Sequence, residues 1–179
     1  DGDSVSDVYA DHHDLEAGDG GEDPDGDGQT NAEESAWGTD PNANDSFGRV
    51  TVESAPGLVE ITLDTLPGKI YRFQGSLDLV DWNEMGDSFV GTLGTEHLFI
   101  ALPLVGTDAF FARAESMGEV DEDEDGLGGF EEYLLGTSDS EQDSDGDALS
   151  DLDEFIQGSD PTDYYSQGPI PITPHIQII

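Results

Sequence analysis

The sequence predicts a mainly β protein, a central antiparallel β-sandwich flanked on each side by a short loop-and-helix cassette. Three observations carry this reading. Between residues 47 and 116, β-rich runs recur about every ten residues, separated by turns such as "APG", "LPG" and "LGT". The basic residues, Arg49, Lys69, Arg72 and Arg113, all fall in that stretch. On either side of it the chain is acidic and repeats one pattern: aspartates at alternate positions, then a glutamate, an apolar stretch and a glycine.

The charge balance sets the outer limits. Across 179 residues, 43 Asp and Glu face 4 Lys and Arg, a formal charge of −39. Nucleic acid and anionic membrane surfaces are excluded as partners, because each phosphate contact would meet repulsion. The same repulsion opposes a compact state unless cations neutralise it. Cysteine is absent, which removes disulfide and thiolate chemistry. No apolar run approaches the ~20 residues of a membrane span, so no membrane insertion is expected. The chain shows no signal-peptide pattern and starts inside what reads as a motif, as expected of a mature or trimmed product.

The first cassette covers residues 1–46. Residues 23–41 read "DPDGDGQTNAEESAWGTDP", with Asp at loop positions 1, 3 and 5 and Glu at position 12. A loop of this length wraps a hard cation with oxygens from positions 1, 3 and 5, a backbone carbonyl at 7, a side chain or water at 9 and a bidentate Glu at 12. The ligands are therefore Asp23, Asp25, Asp27, the Gln29 carbonyl, Asn31 and Glu34, with Gly28 making the turn. The opening "DGDSVSD" resembles the same loop without its first two positions, offering Asp1, Asp3, the Val5 carbonyl and Asp7, but Ala10 stands where Glu is needed.

The second cassette, residues 117–163, carries two more loops. "DEDEDGLGGFEEYLLGTSDS" (121–140) offers Asp121, Asp123, Asp125, the Leu127 carbonyl and Glu132, with Gly129 at position 9 leaving that ligand to water. "DSDGDALSDLDEFIQGSDP" (143–161) offers Asp143, Asp145, Asp147, the Leu149 carbonyl, Asp151 and Glu154. Ala148 occupies the position-6 glycine site, where a positive φ would be strained. An all-oxygen donor set favours Ca²⁺ over softer metals, and Mg²⁺ prefers fewer carboxylates and more water. Short helices fit Ala32–Trp37, Phe130–Leu135 and Leu152–Gln157, each stopped by glycine. No long helix is expected before any loop, because Gly18–Gly21 and Ser138–Gln142 are poor helix formers. The sites thus read as structural rather than as a groove-opening switch.

The pattern in residues 23–41 resembles the bacterial thrombospondin type 3 repeat, a calcium-binding module of secreted and surface proteins. The resemblance extends over residues 1–46 and 121–163 and implies an extracellular, secreted or cell-surface location. Dockerins share tandem half EF-hands, but their paired longer helices and basic contact residues are missing here.

Residues 47–116 supply the β segment, in the runs "RVTVE", "LVEITL", "KIYRFQGS", "SFVGTL", "EHLFIAL" and "AFFARAE". Alternation at Tyr71 and Phe73, and at Leu98, Ile100 and Leu102, gives these strands a core face. "LPGKIYRFQGSLDLVDWNEMGD" resembles the small fibronectin type III-like domain that accompanies such repeats, through Pro67, Gly68, Tyr71, Ser76, Asp78, Leu79 and Trp82. That implies an immunoglobulin/fibronectin III-like sandwich. Trp82 reads as packing first and as a sugar-stacking residue second.

No phosphate loop, nucleophile elbow or cysteine nucleophile appears. The histidines are His12, His13, His97 and His175; nothing pairs His97 with a serine, and the adjacent His12 and His13 read as exposed first and as a transition-metal pair second. The expectation is no enzyme. Residues 164–179 form an apolar tail in which Ile170, Ile172, Ile176 and Ile178 alternate along an extended strand. Such a strand is expected to pair with its own sheet, to pair with a neighbour's sheet edge, or to stay disordered as a truncated stub. Pairing with a neighbour would chain copies into a homo-oligomer or filament by strand addition. The function expected is a calcium-rigidified scaffold or adhesin with a surface-protein or glycan partner. The alternative is a carbohydrate-binding or dockerin-like accessory module of a larger secreted enzyme.

Overall fold

The structure, a computed structural model, describes residues 2, 4–16, 18–44, 50–55, 57–101 and 109–166. It is mostly β, with antiparallel sheets and a few short helices. The strands are β1 (Val50–Ala55), β2 (Leu58–Thr65), β3 (Lys69–Ser76), β4 (Asn83–Glu84), β5 (Phe89–Val90), β6 (Gly94–Ala101) and β7 (Phe111–Glu119). The helices are α1 (Asp7–His12), α2 (Asn31–Trp37), α3 (Gly129–Leu135) and α4 (Asp151–Gln157), with a 3-10 turn at Asp19–Gly21. Among the described residues, no helix is long and apolar enough to cross a membrane.

One sheet has the order β1-β2-β6, every pair antiparallel. In the other, β7 runs antiparallel along β3, which also pairs with the two-residue β4 and β5. Period-two burial in β2 turns Val59, Ile61, Leu63 and Thr65 inward. From β3, Tyr71 and Phe73 meet them, and these residues form one core cluster with Phe89, Leu98, Ile100, Ala112 and Ala114 packed against it. Leu102, expected on the same face as Leu98 and Ile100, lies outside the described residues, as do Arg49 and the tail isoleucines.

The helices start one residue earlier than the sequence pattern placed them. Thr30 accepts from Glu33 N–H while Glu33 accepts from Thr30 N–H, and Ser150 likewise accepts from Asp153 N–H. Those caps extend each first turn backward. Each helix then ends at a left-handed glycine, Gly38, Gly136 or Gly158. Two features lay beyond the sequence pattern: α1, capped by Ser6, and the extension of β7 to Glu119, past the boundary drawn at residue 116.

The acidic segments close onto the sheets rather than hanging free. Tyr9 is buried and donates its hydroxyl to Thr39 O at 2.7 Å. Ser116 Oγ donates to Ala36 O, and Gly129 N–H to Val120 O at 2.7 Å. α2 and α3, which bear Glu34 and Glu132, are thereby set against β7 and the start of β3, while α4 packs on the second loop, Leu152 N–H donating to Asp125 Oδ2 at 3.3 Å.

Candidate metal centre

Each loop is built by the same set of local bonds. The position-1 aspartates accept at least twice from the turn: Asp23 from Gly26 and Gly28 N–H, Asp121 from Glu124 and Gly126, Asp143 from Gly146, Asp147 and Ala148. Asp25, Asp123 and Asp145 each accept through Oδ1 from the N–H two residues on, at 3.1, 3.0 and 2.9 Å. Asp27, Asp125 and Asp147 do the same from Gln29, Leu127 and Leu149, at 2.7, 2.8 and 2.9 Å, which places the residues whose carbonyls stand seventh. The backbone is left-handed at positions 4 and 6 throughout: Gly26 and Gly28, Glu124 and Gly126, Gly146 and Ala148. Ala148 adopts φ 83°, a conformation in which its Cβ crowds the backbone. A closing bond finishes each loop, Asn31 N–H to Glu22 O, Gly129 to Val120 O and Asp151 to Gln142 O.

These bonds bring the aspartates together as Asp23/Asp25/Asp27, Asp121/Asp123/Asp125 and Asp143/Asp145/Asp147, with one carboxylate oxygen from each residue within 4.8 Å of the others in its group. A ring of like charges could still be a solvated loop. What separates these from that case is the glutamate. Glu34, Glu132 and Glu154 are 0%, 1% and 0% exposed. Glu34 Oε2, Glu132 Oε2 and both Glu154 oxygens are buried without a hydrogen-bond partner, as are Asp25 Oδ2, Asp123 Oδ2 and Asp145 Oδ2. A buried polar atom left unpaired costs about 1–3 kcal/mol, and more when charged. Seven such oxygens in three repeats of one geometry are an arrangement that a cation in each loop would satisfy.

The electrostatics of these glutamates follow from the same burial and the same carboxylate neighbours. Burial, reinforced by Asp25 and Asp27, pushes the Glu34 carboxyl up to about 7. Burial, with Asp139 and Asp123 adding to it, pushes Glu132 up to about 8. Burial also raises Glu154, whose neighbours Asp145 and Asp147 act in the same direction. A cation would lower all three by supplying the opposite charge. The donors are all oxygens, several are carboxylates, and the orphaned atoms converge on each loop; the residues present fit a hard divalent cation.

Position 9 differs among the loops. Asn31 donates through Nδ2 to Asp19 O at 2.9 Å and leaves Oδ1 buried and unpaired. Asp151 spends both oxygens on Ser144, at 2.9 Å to N–H and 2.7 Å to Oγ, so its side chain braces the loop. At Gly129 the space a side chain would fill is taken by Asp139, whose Oδ2 stands 2.5 Å from where a Cβ would be. Asp139 also raises the Glu132 carboxyl, and its Oδ1 accepts from Glu122 N–H at 2.9 Å. It is the acidic residue that sequence reasoning missed, having left this ligand to water. The signal was present in the Asp that follows Gly-Thr or Gly-Ser after every loop helix.

Of the opening half-loop, Asp1 and Asp3 lie outside the described residues. The remainder keeps the backbone turn, with Gly2 at φ 90° and Ser4 at φ 71° in the positions equivalent to 4 and 6. Val5 is half-buried, and Asp7 is exposed in the first turn of α1. Ala10 brings no carboxylate.

Among the described residues, His12, His13 and His97 are engaged locally, and His175 lies outside them. His12 and His13 stack edge to face, His13 Nδ1 lies 3.6 Å from Asp40, and His97 Nδ1 lies 2.7 Å from Glu60. Trp82 is covered by the Arg113 guanidinium, 4.3 Å from its ring centroid. Compared with protein-family models, curated proteins and solved structures, the chain matches none.

Proposed function

We propose that this chain is an extracellular, calcium-binding structural or adhesive protein in which three Ca²⁺ loops stiffen the segments around a fibronectin III-like β-sandwich. The observation that carries the reading is the set of buried, unpartnered position-12 glutamates, Glu34, Glu132 and Glu154, one behind each aspartate triplet. The first ion would be held by Asp23, Asp25, Asp27, the Gln29 carbonyl, Asn31 through its unpaired Oδ1 and Glu34. The second would use Asp121, Asp123, Asp125, the Leu127 carbonyl, Glu132 and Asp139, and the third Asp143, Asp145, Asp147, the Leu149 carbonyl and Glu154. Calcium supplies the positive charge that the carboxylates lack, and its binding is coupled to the ordering of the loops.

The pairing order β1-β2-β6 opposite β3-β7 supports the fibronectin III-like sandwich. The cassettes read as thrombospondin type 3-like connectors, and the isoleucine tail as the segment that joins copies into a filament by strand addition. The glycan-binding alternative has less support: Tyr71 is buried, Phe89 packs on the core and Trp82 lies under Arg113.

Thermal unfolding with and without excess chelator, at matched ionic strength, tests the reading. Chelation is expected to lower Tm by about 10 °C, the equivalent of about 2.5–5 kcal/mol for a chain of this size. An unchanged melting curve would reduce the carboxylates to surface charge and defeat the proposal. Light scattering that rises with calcium is the expected sign of assembly.

A further inference from the structure

Lys69 is buried, 2% exposed, in a chain with few cations to place. Its Nζ donates to Ser35 O at 2.7 Å and to Glu119 Oε1 at 2.6 Å, and lies 4.6 Å from the Phe130 ring centroid. These neighbours come from three segments. Ser35 follows Glu34 in α2, Phe130 precedes Glu132 by two residues in α3, and Glu119 ends β7 just before the second loop opens. The other Glu119 oxygen accepts from Phe130 N–H at 3.3 Å. The junction is also tight. A Cβ on Gly38 would stand 2.8 Å from Phe130 Cζ, and one on Gly68 would stand 2.5 Å from Phe130 N. The end of α2, the turn before β3 and the start of α3 have no slack between them.

We propose that Lys69 is a positioning residue that couples the first two loops, so that a cation in one raises the affinity of the other. The inference rests on the calcium reading above. A buried ammonium is stable only while its acceptors stay in place, because losing one leaves an uncompensated charge in a poorly solvated site. A cation in the first loop fixes Glu34, and with it the adjoining Ser35 carbonyl. A cation in the second fixes Glu132, in the helix whose first turn packs on Lys69 and Glu119. Both ions select the same docked arrangement of α2 and α3 around one ammonium. By linkage, each raises the affinity of the other by the same factor.

The test is a double-mutant cycle on the full chain, with calcium titrated calorimetrically. The amide resonances of Gly28 and Gly126 report the two loops separately, since each donates to its loop's position-1 aspartate. Glu34→Gln is expected to weaken calcium binding at the second loop about tenfold, and Glu132→Gln to weaken the first by the same factor, within the usual range of such couplings. In a Lys69→Met background both cross-effects should fall to about onefold, while Lys69→Arg keeps part of them. A purely structural lysine would lower both affinities without changing the cross-effect. Should Lys69→Met fail to fold, Glu119→Gln, which removes one acceptor charge, is expected to shrink the cross-effect in the same direction.

Calcium binding with no cross-effect in the parent chain, or with an equal one in the lysine variant, overturns the coupling and leaves the calcium reading intact. Absence of calcium binding at either loop overturns both.

Discussion

Ala148 shows how a single residue can carry a measurable strain. The turn needs φ near 83° there, and the other two full loops meet that need with Gly28 and Gly126. A β-carbon in the left-handed region costs about 1–2 kcal/mol, partly offset by the added freedom glycine brings to the unfolded chain. Ala148→Gly is therefore expected to stabilise the calcium-loaded protein by roughly 0.5–1 kcal/mol, read as a higher unfolding midpoint. The loop glutamates set a second residue-scale expectation, for the protein in excess chelator. Glu34 and Glu132 titrate at about 7 and about 8 in the fold, against 4.5 for an ordinary glutamate. Folded chains then hold more protons than unfolded ones across that interval, so stability is greatest near its acid end and falls as pH rises through 7 to 8. Melting in chelator should show Tm dropping between pH 5 and 8. Saturating calcium should remove that slope by taking the proton's place.

At the scale of elements, the cassettes and the sheets meet through contacts too close to tolerate insertion. Gly68 has φ +72°, and a Cβ there would lie 2.4 Å from the Gly129 carbonyl carbon. The atoms it would meet, in Gly129 and at Phe130 N, belong to backbone, which cannot swing aside as a side-chain tip can. Gly68→Ala is expected to cost about 2–4 kcal/mol, combining left-handed strain with overpacking at the start of α3. The same change at Gly86, where a Cβ would meet nothing within 4 Å, bears only the strain of φ +85° and should cost about 1 kcal/mol. Denaturant unfolding of the two variants distinguishes packing from backbone strain. The loop cassettes were the most legible elements in the sequence because ligand spacing, caps and glycine stops act within a dozen residues. The β runs were legible through alternation, but their pairing was not: β2 joins β6 across the intervening strands, and alternation carries no information about partners.

For the whole molecule, the governing quantity is charge. Three divalent ions would bring −39 to −33, so most of the repulsion persists and the ions act where they sit rather than by neutralising the surface. Monovalent salt screens exposed charges but does not enter a ring of buried oxygens. Raising NaCl from about 0.1 to 1 M in chelator should therefore recover less than half of the Tm lost with calcium. Full recovery would assign the effect to general screening.

The sequence by itself determined the three loops, the aspartate triplet that converges in each and the helices behind them, because every one of those relations is local. It also determined that the middle of the chain is β, from period-two alternation and turn residues. Only the tertiary structure decided that Asp139 fills the space left by Gly129 and that Asp151 turns to Ser144. It alone decided that Lys69 joins Ser35, 34 residues away, to Glu119, 50 residues away. Those choices depend on how segments distant in sequence close around shared space and shared charge, and no spacing rule along the chain encodes that closure.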